Sequence, residues 1–363
     1  MPGGFGVYVH VPFCATRCDY CAFATWTDRD DLMVAYAAAC VAEITRAKEE
    51  EALPPATSIF VGGGTPSRLP GELLAGILHT VARTEGAEVT AECNPEGASA
   101  ELFACWRAAG VTRVSFGVQS MVLHVLAGLG RHHDPATVAR ALSLAADFGF
   151  EVNVDLIFGA PSESDGDWQR TLDAVLALEP RPDHVSAYAL TVEPGTPLAR
   201  DPQRHPDPDV QARRYETADR LLRRAGLRWY EVSNWAVAGH ECRHNQLYWR
   251  QGEYRGVGCA SHSHRGGRRW WNIRTPERYV SAISSGRPAM AGEEVLNEDE
   301  RDLEALVLAV RTAEGVPEWA VPDDPELRTL IRRRHGRAVL TLRGRLLADE
   351  VARRLRVPSI LPA

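Results

Sequence analysis

Six short runs rich in β-branched residues alternate with alanine- and leucine-rich segments over the first 225 residues of this 363-residue chain. The alternation predicts repeated βα units, in which helices connect parallel strands. The predicted strands are Phe5–Val11, Ser58–Gly62, Glu88–Glu92, Arg113–Val118, Glu151–Phe158 and His184–Leu190. The predicted helices follow at 29–51, 70–83, 98–109, 134–148, 164–178 and 209–225. Such units close into a barrel or form an open doubly wound sheet, and the pattern alone leaves both alternatives open.

A loop with three cysteines directly follows the first predicted strand. The spacing C-x3-C-x2-C places Cys14, Cys18 and Cys21 in one short segment. Three thiolates can hold three corners of a four-iron cluster and leave one iron open to a small molecule with its own amino and carboxylate groups. A zinc loop or three unrelated thiols are the alternatives. The remaining cysteines have no framework spacing, and we expect them to be mostly packing residues: Cys40, Cys93, Cys105, Cys242 and Cys259.

Polar motifs end or follow the next predicted strands. A glycine-rich run, 62–66, ends the second strand, Glu92 the third and Gln119 the fourth, while Asp155 lies in the fifth. In an α/β barrel the carboxyl ends of the strands form one face, so these motifs should converge. A zwitterionic amino acid joined to a ribose needs an acid, an arginine and hydroxyl acceptors, and Arg131 supplies the arginine. For each residue alone, a turn, surface or capping role is the alternative.

The cysteine spacing, with an aromatic residue just before the third cysteine, resembles the radical S-adenosylmethionine (SAM) superfamily. Within it, the chain is similar over nearly its whole length to the family that contains oxygen-independent coproporphyrinogen III oxidase and the HemW heme chaperone. The segments that carry this similarity are Tyr8–Cys21, Gly62–Ser67, Ser115–Ser120, Asn153–Pro161 and Ser186–Tyr188. The resemblance implies an α/β fold, a partial (β/α)6 TIM-like radical SAM barrel with a small, mainly helical C-terminal domain.

The resemblance also implies cofactors and the residues that hold them. A [4Fe-4S] cluster would be bound by the three cysteines of the loop, with SAM beside it. Glu92 and Arg131 would clamp the methionine end, whereas Gln119 and Asp155 would hold the ribose. The residues implied for SAM binding are Tyr8, Tyr20, Gly63, Gly64, Thr65, Glu92, Gln119, Arg131 and Asp155.

Three features favour the chaperone branch over the oxidase branch. Ala22-Phe23 follows the third cysteine where the oxidases typically carry a further cysteine. Tyr8 is close to the first residue, so we expect no oxidase-type N-terminal extension. The segment from His244 to Trp249 matches the H-N-x-x-Y-W motif of the chaperones. Histidine is a good axial ligand for heme iron and aromatic rings offer flat apolar surface, so His244 is a candidate heme ligand; a hydrogen-bonded structural histidine is the alternative.

We therefore expect a heme chaperone that binds heme, the cluster and SAM and transfers heme to an acceptor protein. The enzymatic alternative is radical decarboxylation of coproporphyrinogen III, and a third is a radical methyltransferase or heme-degrading enzyme. Catalytic residues are not assigned, and whether the chain is an enzyme stays open. His262-Ser263 matches another segment of the family.

Composition and charge exclude some classes of cofactor and partner. Lys48 is the only lysine, which argues against pyridoxal phosphate chemistry. The net charge of −7 argues against a nucleic-acid partner, and we expect the Arg332–Arg334 run to lie on a solvated helix face. No apolar run approaches about 18 residues and no signal sequence is recognised, so we expect a cytoplasmic protein. The expected partners are heme, a heme-acceptor protein and an electron donor, with peripheral contact to membrane-bound acceptors as an option.

The alternation of strands and helices stops near residue 235, which suggests a division of the chain. We predict a radical SAM barrel at 1–235 and a connecting segment with the H-N-x-x-Y-W motif at 236–290. A C-terminal helical or winged-helix domain follows at 291–363.

Overall fold

The computed structural model describes residues 4–50 and 52–357. It contains all six predicted parallel strands, with ends that differ by a few residues from the sequence-based ones. The strands are β1 (Phe5–Val11), β2 (Ala56–Gly63), β3 (Arg83–Cys93), β4 (Arg113–Gln119), β5 (Glu151–Phe158) and β6 (His184–Ala189). The helices of this region are α1 (Met33–Glu49), α2 (Gly71–Thr80), α3 (Ala100–Ala108), α4 (Leu123–Gly128), α5 (Pro135–Asp147), α6 (Asp165–Leu176) and α7 (Pro208–Arg224). Residue 51, at the end of the first predicted helix, lies outside the described residues.

The main sheet extends beyond these six strands on both sides. The added elements are β7 (Arg228–Glu231), β8 (Asn234–Ala236), α8 (Arg243–Trp249), β9 (Glu253–Val257), β10 (His262–Arg265), β11 (Arg268–Asn272), α9 (Pro276–Ser284) and β12 (Met290–Val295). The strand order is β12-β11-β10-β9-β1-β2-β3-β4-β5-β6-β8-β7. Strands β1 to β6 follow one another in sequence order, without the reversal of a doubly wound sheet. The six parallel strands in sequence order have the topology of a barrel, and because β7 and β12 stand at the two ends of the order without pairing, this barrel is partial. The observed architecture confirms the expected fold class.

Alternating side chains give this sheet two different faces. In β4, Val114, Phe116 and Val118 are fully buried on the outer face, where the helices pack. Ser115 and Gly117 point the other way and line an interior cavity. The period of two thus puts an apolar layer under the helices and polar groups inside the barrel.

A buried carboxylate joins the added strands to the first helix. Glu43 of α1 accepts hydrogen bonds from the Gly258 amide at 3.0 Å, the Asn272 amide group at 2.8 Å and the Tyr279 hydroxyl at 2.6 Å. These donors belong to the turn after β9, to β11 and to α9. Because leaving a buried acceptor unpaired is unfavourable, Glu43 fixes the position of this edge of the sheet.

The C-terminal region has helices and a small sheet of its own. Its elements are α10 (Glu298–Ala309), β13 (Val316–Pro317), β14 (Ile331–Arg334), β15 (Arg337–Leu340), α11 (Leu342–Leu346) and α12 (Ala348–Ala352). The antiparallel order is β13-β15-β14, and a separate apolar cluster underlies it. Arg345 connects this region to the barrel through an ion pair with Asp219 at 2.7 Å and a contact with the Trp229 ring. The predicted boundaries at 235 and 290 stay predictions, while residues 253–295 contribute strands to the main sheet.

The expectation that Arg332–Arg334 lies on a helix face is wrong, because these arginines form the exposed strand β14. A two-residue turn, His335-Gly336, follows with both φ angles positive, at 48° and 71°. Such a turn matches the twist of a hairpin and directs the chain back as β15.

Among the described helices, none combines the length and the apolar character needed to cross a membrane.

Candidate cluster and cofactor site

A cavity of about 630 Å³ opens at the carboxyl ends of the parallel strands. Side chains of β2 to β6 and of the cysteine loop line it. The structure brings together eleven of the residues singled out in the sequence: Cys14, Cys18, Tyr20, Cys21, Gly63, Gly64, Thr65, Glu92, Gln119, Arg131 and Asp155. Tyr8 and His244 do not line this cavity.

The three cysteines lie on a loop whose two ends are joined by backbone hydrogen bonds just after β1. The Cys14 amide donates to the Trp26 carbonyl at 3.0 Å, and the Trp26 amide donates to the Pro12 carbonyl at 2.8 Å. Within the loop, the Cys21 amide donates to the Cys18 carbonyl. This closed base keeps the three thiols at the mouth of the cavity.

Across the described part of the chain, no three cysteine, histidine or acidic side chains are grouped closely enough to hold one metal ion. A four-iron cluster takes one thiolate at each of several irons, so its ligands stand farther apart. Burial raises the pKa of Cys14 and of Cys21, and the neighbouring thiols raise it further. Metal binding must therefore displace protons from this loop.

The glycine-rich loop after β2 packs directly against the cysteine loop. The amides of Gly64 and Thr65 donate to the carbonyls of Val11 and Phe13 at 2.8 and 2.9 Å. A Cβ on Gly64 would stand 2.7 Å from the Val11 oxygen and 3.1 Å from the Cys14 sulfur. The sequence suggested that the missing side chains admit a ligand, whereas the contacts present here are with protein backbone and sulfur.

We predict that Gly64→Ala loses most of the cluster, because the added carbon would push the cysteine loop away from β2. Overpacking of this kind also destabilises the fold by roughly 1 to 3 kcal/mol. Gly76→Ala is the matched control, since a Cβ there meets no atom within 4 Å. Iron and sulfide content after anaerobic reconstitution measures the effect, and equal cluster content in the two variants would contradict the prediction.

Two carboxyl groups, those of Glu92 and Asp155, line the cavity. Burial raises the pKa of Glu92 to about 8, and repulsion from Asp155 contributes. The Gly63 amide donates to the Glu92 carboxylate at 3.2 Å. Asp155 accepts from the Ser115 hydroxyl at 2.7 Å and from the Asn153 amide at 2.9 Å, and burial raises its pKa as well. An arriving cation would therefore find two acids that are hard to ionise together.

Arg131 adds a positive charge at the cysteine end of the cavity. The side chain is 9% exposed, and its guanidinium donates to the Asn94 side-chain oxygen at 2.8 Å and to the Gly117 carbonyl at 3.0 Å. Another guanidinium nitrogen lies 3.8 Å from the Cys18 sulfur. The buried Nε has no partner among the described residues. A buried donor without a partner is uncommon in proteins, which makes Arg131 a candidate to bind an anionic group.

Gln119 ends β4 in an unusual backbone conformation. Its φ angle is +63°, and the pairing with β5 shifts register between Gly117 and Gln119. A residue other than glycine is strained in this left-handed conformation. Such irregularities at the end of a strand redirect a side chain, and the Gln119 side chain lines the cavity.

The two tyrosines of the cysteine segment have different positions. Tyr20 lines the cavity, and burial raises the pKa of its hydroxyl. The Tyr8 hydroxyl instead donates to His10 Nδ1 at 3.0 Å, and His10 Nε2 donates to the Ala24 carbonyl at 2.9 Å. Burial lowers the pKa of His10 to about 4, so the ring is neutral and can bond in both directions. Tyr8 therefore supports the cysteine loop from behind.

His244 lies at the opposite end of the strands from the cysteines. Its Nδ1 is 3.0 Å from the Ser58 hydroxyl and its Nε2 is 2.9 Å from the Tyr248 hydroxyl. The side chain is 1% exposed, and burial lowers its pKa to about 3. Glu88, at the amino-terminal half of β3, accepts the His244 amide at 3.2 Å. Both ring nitrogens are thus engaged in this conformation.

Sequence reasoning missed several residues that shape the site. Each lies two residues, or a small multiple of two, from a residue already singled out in the same segment, so the alternation of side chains along a strand could have identified it. These residues are His10, Asn94, Ser115, Asn153 and Tyr188.

Comparison with known proteins relates this geometry to a family. The Radical SAM superfamily model matches residues 8–175. The heme chaperone HemW of Mycobacterium tuberculosis (strain ATCC 25618 / H37Rv) is 45% identical over 375 residues, which cover 98% of this chain and 96% of that protein. The chain belongs to the HemW family. A HemW relative from Bacillus subtilis (strain 168) is 31% identical over 370 residues, covering 95% of this chain and 97% of that protein.

A solved structure extends the HemW comparison to the fold. Coproporphyrinogen III oxidase (HemN) from Escherichia coli aligns with a TM-score of 0.83 and 20% sequence identity, covering 97% of this chain and 90% of that one. At this identity the likeness shows a common fold. Membership in the radical SAM superfamily implies a [4Fe-4S] cluster and SAM.

Proposed function

We propose that this HemW-family chain is a heme chaperone, which binds heme together with a [4Fe-4S] cluster and SAM and passes the heme to an acceptor protein. The observation that carries the proposal is the 45% identity, over 98% of this chain, to a protein named heme chaperone HemW. We further propose that it works in the cytoplasm and receives electrons from a separate donor, with peripheral contact to membrane-bound acceptors as an option. We propose no nucleic-acid partner.

In this proposal Cys14, Cys18 and Cys21 hold the cluster. Its support is that all three thiols face one cavity from a loop whose base is closed by hydrogen bonds. When bound, such a cluster supplies an electron and an iron position open to an amino acid. Thr65 donates to the Cys14 sulfur at 3.5 Å, which orients that thiolate.

The same cavity is proposed to hold SAM. The unpaired Nε of Arg131 suits the carboxylate of the methionine moiety, and Glu92 suits its ammonium. Asp155 and Gln119 are proposed to accept the ribose hydroxyls. The remaining residues, Tyr20, Gly63, Gly64 and Thr65, are proposed to border the methionine end, whereas Tyr8 would act through His10 and the loop.

The raised pKa of Glu92 predicts a pH-dependent affinity for SAM. With a pKa of about 8, the free carboxyl is protonated at neutral pH, and a bound ammonium favours the ionised form. Binding should therefore release a proton, and the affinity should rise from pH 6 toward pH 8 by up to about tenfold per unit. Calorimetry in buffers of different ionisation enthalpy measures the proton release. Glu92→Gln should remove this pH dependence, and an unchanged slope in that variant would contradict the prediction.

The enzymatic alternative remains radical decarboxylation of coproporphyrinogen III. The likeness to coproporphyrinogen III oxidase (HemN) is one of fold alone and does not favour this activity over the chaperone. Against it, Ala22-Phe23 occupies the positions after the third cysteine where the oxidases typically have another cysteine. A methyltransferase or heme-degrading activity has no further observation in its favour.

Parallel assays on anaerobically reconstituted protein test the proposed function. We expect heme uptake with a Soret absorption band and no conversion of coproporphyrinogen III to protoporphyrinogen IX when reductant and SAM are supplied. Robust decarboxylation without heme uptake would make the oxidase the better assignment.

The heme ligand proposed from the H-N-x-x-Y-W motif, His244, stays a prediction. Ligation through either ring nitrogen would require loss of a hydrogen bond to Ser58 or Tyr248. If His244 ligates heme, His244→Ala should weaken or alter the heme spectrum without disturbing the iron-sulfur absorption.

A further inference from the structure

A row of polar side chains crosses the inside of the barrel below the candidate site. His184 begins β6 and pairs with Asn153 of β5, and Asn153 pairs in turn with Ser115 of β4. Paired residues of adjacent strands share a face, so the three side chains lie side by side. All three are buried and line the cavity. Asp155 is two residues after Asn153 and therefore occupies the next inward position of β5, nearer the cysteine loop.

The ring of His184 carries a single proton, and its contacts show where that proton is. Burial lowers the pKa of His184 well below its ordinary value, and the charge of Arg113 adds to this effect, so the ring is neutral. Nδ1 contacts the side-chain oxygen of Asn153, which can only accept, so Nδ1 carries the proton. Nε2 is then an acceptor, and the Tyr230 hydroxyl donates to it at 2.7 Å. The same hydroxyl oxygen accepts from the Cys242 amide at 3.4 Å.

The donor on His184 decides which way the Asn153 amide faces. With its oxygen on His184, the amide nitrogen donates to the Asp155 carboxylate at 2.9 Å and to the Ser115 hydroxyl. Half a turn of the amide would place its oxygen against the carboxylate and its nitrogen against the Nδ1 proton. Because buried polar groups without partners are costly, that orientation is unfavourable. His184 therefore holds the amide in one orientation.

The oriented amide acts in turn on Asp155. The Ser115 hydroxyl donates to one carboxylate oxygen at 2.7 Å, and the Asn153 amide donates to the other. Burial raises the pKa of Asp155, whereas the hydrogen bonds from Ser115, Ser186 and Asn153 lower it. Donors on both oxygens favour the charged form of the carboxylate and restrict its rotation. A charged carboxylate only accepts hydrogen bonds, which suits the hydroxyls of a ribose.

We propose that His184 and Tyr230 are positioning residues for SAM: acting through Asn153, they hold Asp155 as the acceptor of the ribose hydroxyls. The inference rests on the proposed function, in which Asp155 binds the ribose. Tyr230 does not line the cavity, so its effect on SAM passes through the His184 ring.

Calorimetric titration of reconstituted variants with SAM tests the proposal. We expect His184→Leu and Tyr230→Phe to retain the cluster and to weaken SAM binding by roughly threefold to tenfold, the range for one net hydrogen bond. His184→Asn should bind SAM more tightly than His184→Leu, because its amide nitrogen can replace Nδ1 as a donor. Tyr215→Phe is the matched control for Tyr230→Phe and should bind SAM as the wild type does. The buried Tyr215 hydroxyl donates to the Val232 carbonyl at 2.8 Å, and Tyr215 does not line the cavity.

A double-mutant cycle distinguishes positioning from a general loss of structure. In an Asp155→Asn background, His184→Leu should cause little further loss of SAM affinity, because both changes remove the same contact. The cycle is repeated with Tyr230→Phe, which removes one oxygen and disturbs packing least. Wild-type affinity in both single variants, or losses that add in the double variants, would overturn the inference. A wild-type chain that binds no SAM although its cluster is complete would instead count against the proposed function itself.

Discussion

Cys18→Ala should abolish the oxygen-sensitive four-iron cluster, whereas Cys105→Ala should retain it. Removing one thiolate leaves two protein ligands for a cluster that the loop holds by three. Cys18 lines the cavity, whereas Cys105 lies on α3 and packs against Gly71 of α2. Iron and sulfide analysis after anaerobic reconstitution, with electron paramagnetic resonance of the reduced protein, measures the difference.

The cysteine prediction extends to the whole loop. Cys14→Ala and Cys21→Ala should behave like Cys18→Ala, because each thiol faces the same cavity. Cys40 is a less suitable control, since it is fully buried and its loss would disturb packing around Tyr279. A cluster that survives Cys18→Ala and disappears in Cys105→Ala would refute the ligand assignment.

The sequence predicted the inner parallel strands because their signal is local. Each of the six is a short run rich in β-branched residues with a polar motif at or near its end. Because the carboxyl ends of such strands lie on one face of a barrel, the convergence of these motifs could also be predicted. Strands β9 to β12 were missed for two reasons. Strand β9 pairs with β1 far along the chain, with Phe5 opposite Glu253, and the local hairpin of β10 and β11 around Gly266-Gly267 lacks the β-branched runs of the first six strands. The segment Arg268–Asn272 is rich in arginine and tryptophan and becomes a strand through its neighbours β10 and β12.

The site was predicted less completely than the fold. Motifs identified which residues matter, but the direction of a hydroxyl or ring depends on neighbours far along the chain. Tyr8 was expected beside the cofactor, yet its hydroxyl bonds to His10, and the ring lies near Phe60. The engagement of His244 by Ser58, 186 residues away in sequence, could not be read from a local motif.

Arg131→Ala should weaken SAM binding by about tenfold to hundredfold, because a charge-assisted contact is worth roughly 1.5 to 3 kcal/mol. The buried Nε has no partner among the described residues and is the proposed donor to an incoming carboxylate, while Nη2 donates to both Asn94 and Gly117. The cluster should remain, because Cys18 keeps its thiolate, although its sulfur loses a guanidinium neighbour at 3.8 Å. Calorimetry on reconstituted protein measures the affinity.

Arg204→Ala is the matched control for Arg131→Ala, because it also removes an arginine that contacts the cysteine loop. Arg204 also contacts the cysteine loop, through Asp19 at 2.7 Å, but it does not line the cavity. A general loosening of the loop would weaken SAM binding in both variants, whereas a specific carboxylate contact would affect Arg131→Ala alone. Glu92→Ala should act on the ammonium with a similar loss of affinity. If Arg131→Ala and Glu92→Ala both bind SAM as the wild type does, the methionine moiety lies elsewhere in the cavity.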